Sequence, residues 1–195
     1  MHLPRFAASS LALALAFSGL AVTAHAQAPQ SLLPAFGTDG VEFTVKAKGD
    51  HTVKGWLPKG WVDNTDWAPV TATYTKLADS PDPAAGAVRI KVEQVEEGGQ
   101  LQFTTYGGNQ KYKKGAKYVV SGWVRSSVQG VIKVGVRQIP EPYEFYFEND
   151  LNAESEWKRF EFPFTPGVDF EAFIMFVVQN PSTVDLAGVS VEEKP

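Results

Sequence analysis

Three runs of the chain place aromatic, amide and guanidinium side chains on one parity. In the run from Leu101 they are Gln102, Thr104 and Tyr106; in the run from Tyr118, Trp123 and Arg125 beside Val119 and Ser121; in the run from Val131, Lys133 and Arg137. Successive side chains of a strand point to opposite faces, so each set lies opposite an apolar row. Those rows are Leu101, Phe103 and Thr105; Tyr118, Val120, Gly122 and Val124; and Ile132, Val134 and Val136. An outward face of this mixture fits a sugar. A sugar ring has apolar C–H patches that stack on an aromatic plane and a girdle of hydroxyls that bond to Arg, Gln and Asn. Three of the five tryptophans, Trp56, Trp61 and Trp67, fall in the loop-rich stretch 55–67, where they either cover the core or form a sticky rim. Any single residue of the set, Trp123 above all, could equally belong to the core, and the arginines could equally form surface ion pairs.

Other chemistries fit less well. Glycosidases need two carboxylates flanking the scissile bond. Glu141, Glu144, Glu148 and Asp150 cluster in the sequence, yet their spacing singles out no acid and nucleophile; Glu144 is the best placed, and no catalytic residue is assigned. With no cysteine in the chain, disulfides, thiolate metal sites and a thiol nucleophile are excluded. A net charge of −4 argues against nucleic acid, which calls for a basic face. His51 stands in a predicted exposed turn, Lys48–Thr52, and is read as a surface residue rather than a catalytic one. No calcium-loop motif occurs, and no cofactor is required. A structural calcium is nonetheless open, with Asp39, Glu42 and Asp185 as candidate ligands if the terminal strands pair.

The elements that must position these groups read as strands nearly throughout. Alternating or apolar runs begin near Val41, Val88, Leu101, Tyr118, Val131, Tyr143, Phe160, Phe173 and Val184, separated by Gly-, Pro- and Asn-rich turns. Pro163 predicts a sheet edge or a bulge for its strand, Gly188 predicts a bulge, and the run Phe173–Val178 predicts a strand covered on both sides. No run carries a capped helical stripe. The pattern predicts an all-β, antiparallel β-sandwich or jelly roll in a single domain. Residues 1–26 read as a signal peptide: Arg5, an apolar run from Phe6 to Val22, then Ala24-His25-Ala26. That run is short for a membrane span, which needs ~20 residues. A flexible leader over 27–39 and the sandwich over 40–195 complete the organisation. The chain is expected to be exported, to the periplasm or the medium, and monomeric.

Four segments carry a family resemblance. Lys114-Gly115-Ala116-Lys117-Tyr118-Val119-Val120-Ser121-Gly122-Trp123-Val124-Arg125 resembles a characteristic strand of the carbohydrate-binding modules of families four, nine and twenty-two. Gly86–Ile90, Glu156–Phe162 and Val184–Val191 are similar to three further strands, in the same order along the chain. The resemblance implies a galactose-binding-like jelly roll with a glycan groove on its concave sheet, no catalysis, and often a structural calcium. Carried onto this sequence, it implies a groove row of Gln102, Tyr106, Trp123, Arg125, Arg137 and Tyr143, with Trp61 or Trp67 at the rim. The function expected is binding of a plant-type polysaccharide, β-glucan or xylan-like. Two alternatives stay open: a periplasmic interaction domain docking a partner through the Trp56–Trp67 loop, and a small polysaccharide-cleaving enzyme.

Overall fold

A computed structural model describes residues 30–37, 39–81, 85–130, 132–139 and 141–195. The signal-peptide expectation for 1–26 lies outside the described residues. Thirteen strands follow one another: β1 (Gly40–Lys46), β2 (Thr52–Pro58), β3 (Val62–Asp63), β4 (Val70–Leu77), β5 (Ala87–Val95), β6 (Leu101–Thr104), β7 (Gln110–Tyr112), β8 (Lys117–Ser126), β9 (Ile132–Gln138), β10 (Phe145–Leu151), β11 (Lys158–Phe164), β12 (Phe170–Val178) and β13 (Ser182–Lys194). Among the described residues there is no helix, and hence none long and apolar enough to cross a membrane.

The strands form two sheets packed face to face. The first runs β1-β2-β4-β5-β13-β8-β11 and the second β10-β9-β12-β6-β3, with β7 also pairing β12. Every pairing is antiparallel except β2 with β4. Neighbours in space are seldom neighbours in sequence, as a jelly roll requires. The expected all-β sandwich is therefore the fold observed.

Alternation works as predicted. On β8 the even-numbered residues from Tyr118 to Ser126 are buried and the odd-numbered ones half-buried or exposed. The inner row meets Phe103, Ile174 and Phe176 of the second sheet in one core. Strand β12 is covered on both sides. Its Ile174 and Phe176 join that core, while Phe173, Met175 and Val177 form a second apolar cluster on the outside of the second sheet. Pro163 sits in the edge strand β11, and Gly188, at φ 55°, sits where β13 shifts register against β8.

Three expectations need correction. Strands β2 and β3 occupy part of the expected loop-rich stretch 55–67, and β4 follows it as a further strand. Gly55 lets β2 run hard against β4, since a Cβ there would collide with the Tyr74 backbone. The leader is not loose over its described part. Leu33 and Phe36 are buried, Leu32 N–H bonds to Val191 C=O at 2.7 Å and Gly86 N–H to Phe36 C=O at 2.6 Å. Phe36 also meets Trp61 edge-on at 5.1 Å, so burial of two apolar side chains outweighs the freedom of the segment. His51 is buried rather than exposed, with its ring nitrogens 2.9 Å from Thr71 Oγ1 and 3.1 Å from Glu96 Oε1.

Candidate functional site

The outer face of the second sheet is apolar at its centre and polar at its margins. Register places Gln102 opposite Val177, Thr104 opposite Met175, and Arg137 opposite Phe173. Two connections border this face: the turn 64–67 after β3, and residues 141–144 before β10. Between them lies a trough of about 380 Å³. Phe173 and Tyr106, meeting edge-on at 5.3 Å, supply its apolar surface. Trp67 and Asn64 line one side, Arg137 and Tyr143 the other, with Gln100 and Gln102 completing the lining. Among the described residues, the lining holds one cation and no carboxylate.

Each polar member is held. Gln102 is 2% exposed, and its Oε1 accepts a hydrogen bond from Asn64 Nδ2 at 2.9 Å, which leaves its Nε2 as the donor for the trough. Arg137 Nε donates to Tyr143 C=O at 3.0 Å, and the guanidinium lies 5.0 Å from the Tyr143 ring centroid and 5.6 Å from that of Phe145. Those contacts hold Tyr143 at φ 58°, a left-handed conformation disfavoured for an aromatic residue. Trp67 Nε1 donates to Asn64 C=O at 2.9 Å, fixing the indole on its own turn. Three rings remain open to solvent: Tyr106 at 48%, Trp67 at 46% and Tyr143 at 44%. Such a surface can stack on apolar ring faces and donate or accept hydrogen bonds around them.

Beneath the turn, Asp63 faces inward. Its Oδ1 accepts from Thr65 N–H at 3.0 Å, and its Oδ2 accepts from Thr65 Oγ1 at 3.0 Å and from Tyr74 Oη at 2.6 Å. Burial pushes the Asp63 carboxyl up to about 6, although the bonds from Tyr74 and Thr65 pull the other way. Burial and the adjacent Asp63 charge push the Tyr74 phenol well above its ordinary range.

Of the eight residues expected to bind, the structure gathers five in this trough: Gln102, Tyr106, Arg137, Tyr143 and Trp67. The other three are elsewhere. Trp61 is 2% exposed and stacks on Phe103 at 4.7 Å inside the core. Trp123 and Arg125 do face outward from β8, but β8 belongs to the first sheet, so they emerge on the opposite outside of the sandwich. There Arg125 is engaged by the protein itself. Its Nε donates to Asp185 at 2.6 Å, its Nη1 to Asp79 at 2.9 Å, and it lies 4.5 Å from the Trp157 ring centroid.

The candidate calcium set does not assemble. Asp185 is buried between Arg125 and Arg89, which grips both its oxygens at 2.8 and 2.9 Å. Glu42 lies on β1, four strand spacings from β13 or ~19 Å. Among the described residues no group of three acids or histidines could hold a metal ion. Glu144 is exposed and is not among the residues lining the trough. Asn64, Gln100 and Phe173 were missed as site residues. Of these, only Asn64, beside Trp67 in the tryptophan-rich stretch, carried a local hint.

Comparison with known proteins follows the same line. The structure reported as "CBM4 structure and function" superposes with a TM-score of 0.52 at 21% identity, covering 69% of this chain and 86% of that one. A Bacteroides thetaiotaomicron protein provisionally described as sugar-binding gives 0.54 at 12% identity, over 85% and 100% of the two chains. The enzymatically active domain of bacteriophage CBA120 tailspike protein 4 gives 0.53 at 13% identity, over 70% of this chain and 20% of that one. At these identities the likeness is one of fold. No curated protein matches the sequence. The profile of the carbohydrate binding domain family, in contrast, matches residues 59–183, more than half of the chain and every residue lining the trough. The chain belongs to the carbohydrate binding domain family.

Proposed function

We propose that this protein is an exported, non-catalytic binder of β-glucan or xylan-like polysaccharide, and that the trough on the second sheet is its binding site. The observation that carries this reading is the composition of the lining: three exposed rings with positioned amides and one guanidinium, over an apolar floor. Stacking on Trp67, Tyr106 or Tyr143 would set the plane of a sugar ring. Asn64, Gln100, Gln102 and Arg137 would read its hydroxyls. All of these groups come from one chain, so a monomer suffices. The lack of a carboxylate among the described residues of the lining favours binding over hydrolysis. The interaction-domain alternative loses support because Trp61 is buried and Trp56 is half-buried with Lys76 Nζ 5.4 Å from its ring centroid.

Affinity gels and calorimetry over soluble glucans, xylans and mannans test the reading. An open trough predicts dissociation constants of ~10 μM to 1 mM, about −4 to −7 kcal/mol. No retention on any polymer would overturn it, and release of reducing sugar on the same panel would replace it with the enzyme.

A further inference from the structure

One partly buried acid has no part in the ligand-facing lining, yet the turn on one side of the trough is bonded to it. Hydrogen bonds to Gln102 tie residues 64–67 to β6. Asn64 N–H bonds to Gln102 C=O at 2.9 Å, and Gln102 N–H bonds to Thr65 Oγ1 at 3.0 Å. Thr65 C=O accepts from Ala68 N–H at 2.9 Å. Thr65 is thus the hub of the turn, and both its N–H and its hydroxyl are committed to Asp63. On the trough side, the same turn carries Trp67 and the Asn64 amide that orients Gln102.

Resting on the glycan reading, we infer that Asp63 is a positioning residue for the trough. Its carboxylate clamps Thr65 from below and so sets Asn64, Trp67 and Gln102 in their binding arrangement, and loss of its charge releases that side. The chemistry is one of acceptor count. Ionised, the carboxylate only accepts, and its three donors are satisfied together. A proton on Oδ2 forces one hydroxyl bond to reverse, so that Tyr74 Oη or Thr65 Oγ1, which already accepts from Gln102 N–H, must accept rather than donate; a proton on Oδ1 faces the Thr65 N–H, donor against donor. The titratable groups acting on Asp63 are Tyr74 from β4 and Asp66 from the turn; β6, its partner strand, contributes none. The bonds from Thr65 and Tyr74 favour the ionised form, so a proton works against them while the carboxyl stays in place, and with Asp63 at about 6 this falls within the range of ordinary buffers.

The decisive measurement is NMR on the ¹⁵N-labelled protein between pH 5.0 and 7.5. The Thr65 amide and the Trp67 indole should titrate together with a midpoint near 6. Tyr74→Phe removes a bond that lowers the Asp63 value, so it should move that midpoint upward. Asp63→Asn should abolish the titration and speed exchange of the Thr65 and Gln102 amides at least tenfold. In affinity gels with hydroxyethylcellulose and soluble xylan, the wild type should bind at least fivefold more weakly at pH 5.0 than at 7.5, and Asp63→Asn weakly at both. A static Thr65 amide, an unmoved Tyr74→Phe midpoint, or pH-independent binding by the wild type would overturn the inference. If the wild type binds neither polymer at any pH, the glycan reading fails, and the clamp is decided by the Thr65 and Trp67 signals alone.

Discussion

Tyr106 and Trp123 are both aromatic, both outward, and on opposite outsides of the sandwich, which makes them a matched pair for testing where ligand sits. Tyr106→Ala removes a ring that is half in water and should weaken glycan binding about tenfold, roughly 1.4 kcal/mol. Trp123→Ala should leave affinity within about twofold. Calorimetry beside thermal melts on both variants checks this, and the reverse ranking would place the ligand on the first sheet. Asp63 supplies a second prediction with a defined sign. Its carboxyl is raised to about 6 in the folded chain from an ordinary 3.8, so between these values the folded state holds more proton than the unfolded one. Its contribution to stability is therefore fully present below pH 3.8 and is lost as pH rises through 6, up to about 3 kcal/mol. Denaturant melts at pH 5 and 7.5 should show that slope in the wild type and its loss in Asp63→Asn. Stability and trough order thus respond to acid in opposite directions, a pattern that global loosening would not produce.

At the scale of the element, the strand β10 depends on a missing methyl. Gly135 of β9 opposes Glu148, and a Cβ there would strike the Phe145 ring and the Phe147 carbonyl. Gly135→Ala should push Phe145 off the sheet and loosen Arg137, which lies against that ring, and through Arg137 the Tyr143 it holds. The expected cost is about 1–3 kcal/mol of stability with weaker binding; a melting curve and a titration check both. The strand pattern was legible in the sequence where alternation was strong, as on β8 and β9, or where an apolar run was unbroken, as on β12, and so was the direction in which Gln102, Tyr106 and Arg137 point. Strand β4 escaped notice because its inner row of Val70, Ala72 and Tyr74 is diluted by small and threonine residues. Parity could not reveal which sheet a strand joins. Consecutive strands β8 and β9 enter different sheets, so two outward rows that looked continuous face opposite ways. Pairing is a long-range choice made by the whole core, which is why Trp123 and Arg125 were drawn into a groove they do not reach.

For the whole molecule, the two layers are closed at one end by the segment before β1. A chain beginning at Gly40 would lose Leu33 and Phe36 from the core and should be less stable by about 3–5 kcal/mol, counting each buried side chain at its transfer value. Differential scanning calorimetry of that truncation against a chain that keeps residues 30–195 measures the difference. The Leu32–Val191 bond has a further consequence. It seats the start of the described residues beside the last strand, four residues short of Pro195. A peptide bridge of a few residues could therefore join residue 30 to residue 195 and leave both layers undisturbed. Cutting such a ring at the exposed Ser127–Gly130 bend would give a permuted chain with the same sandwich and the same trough.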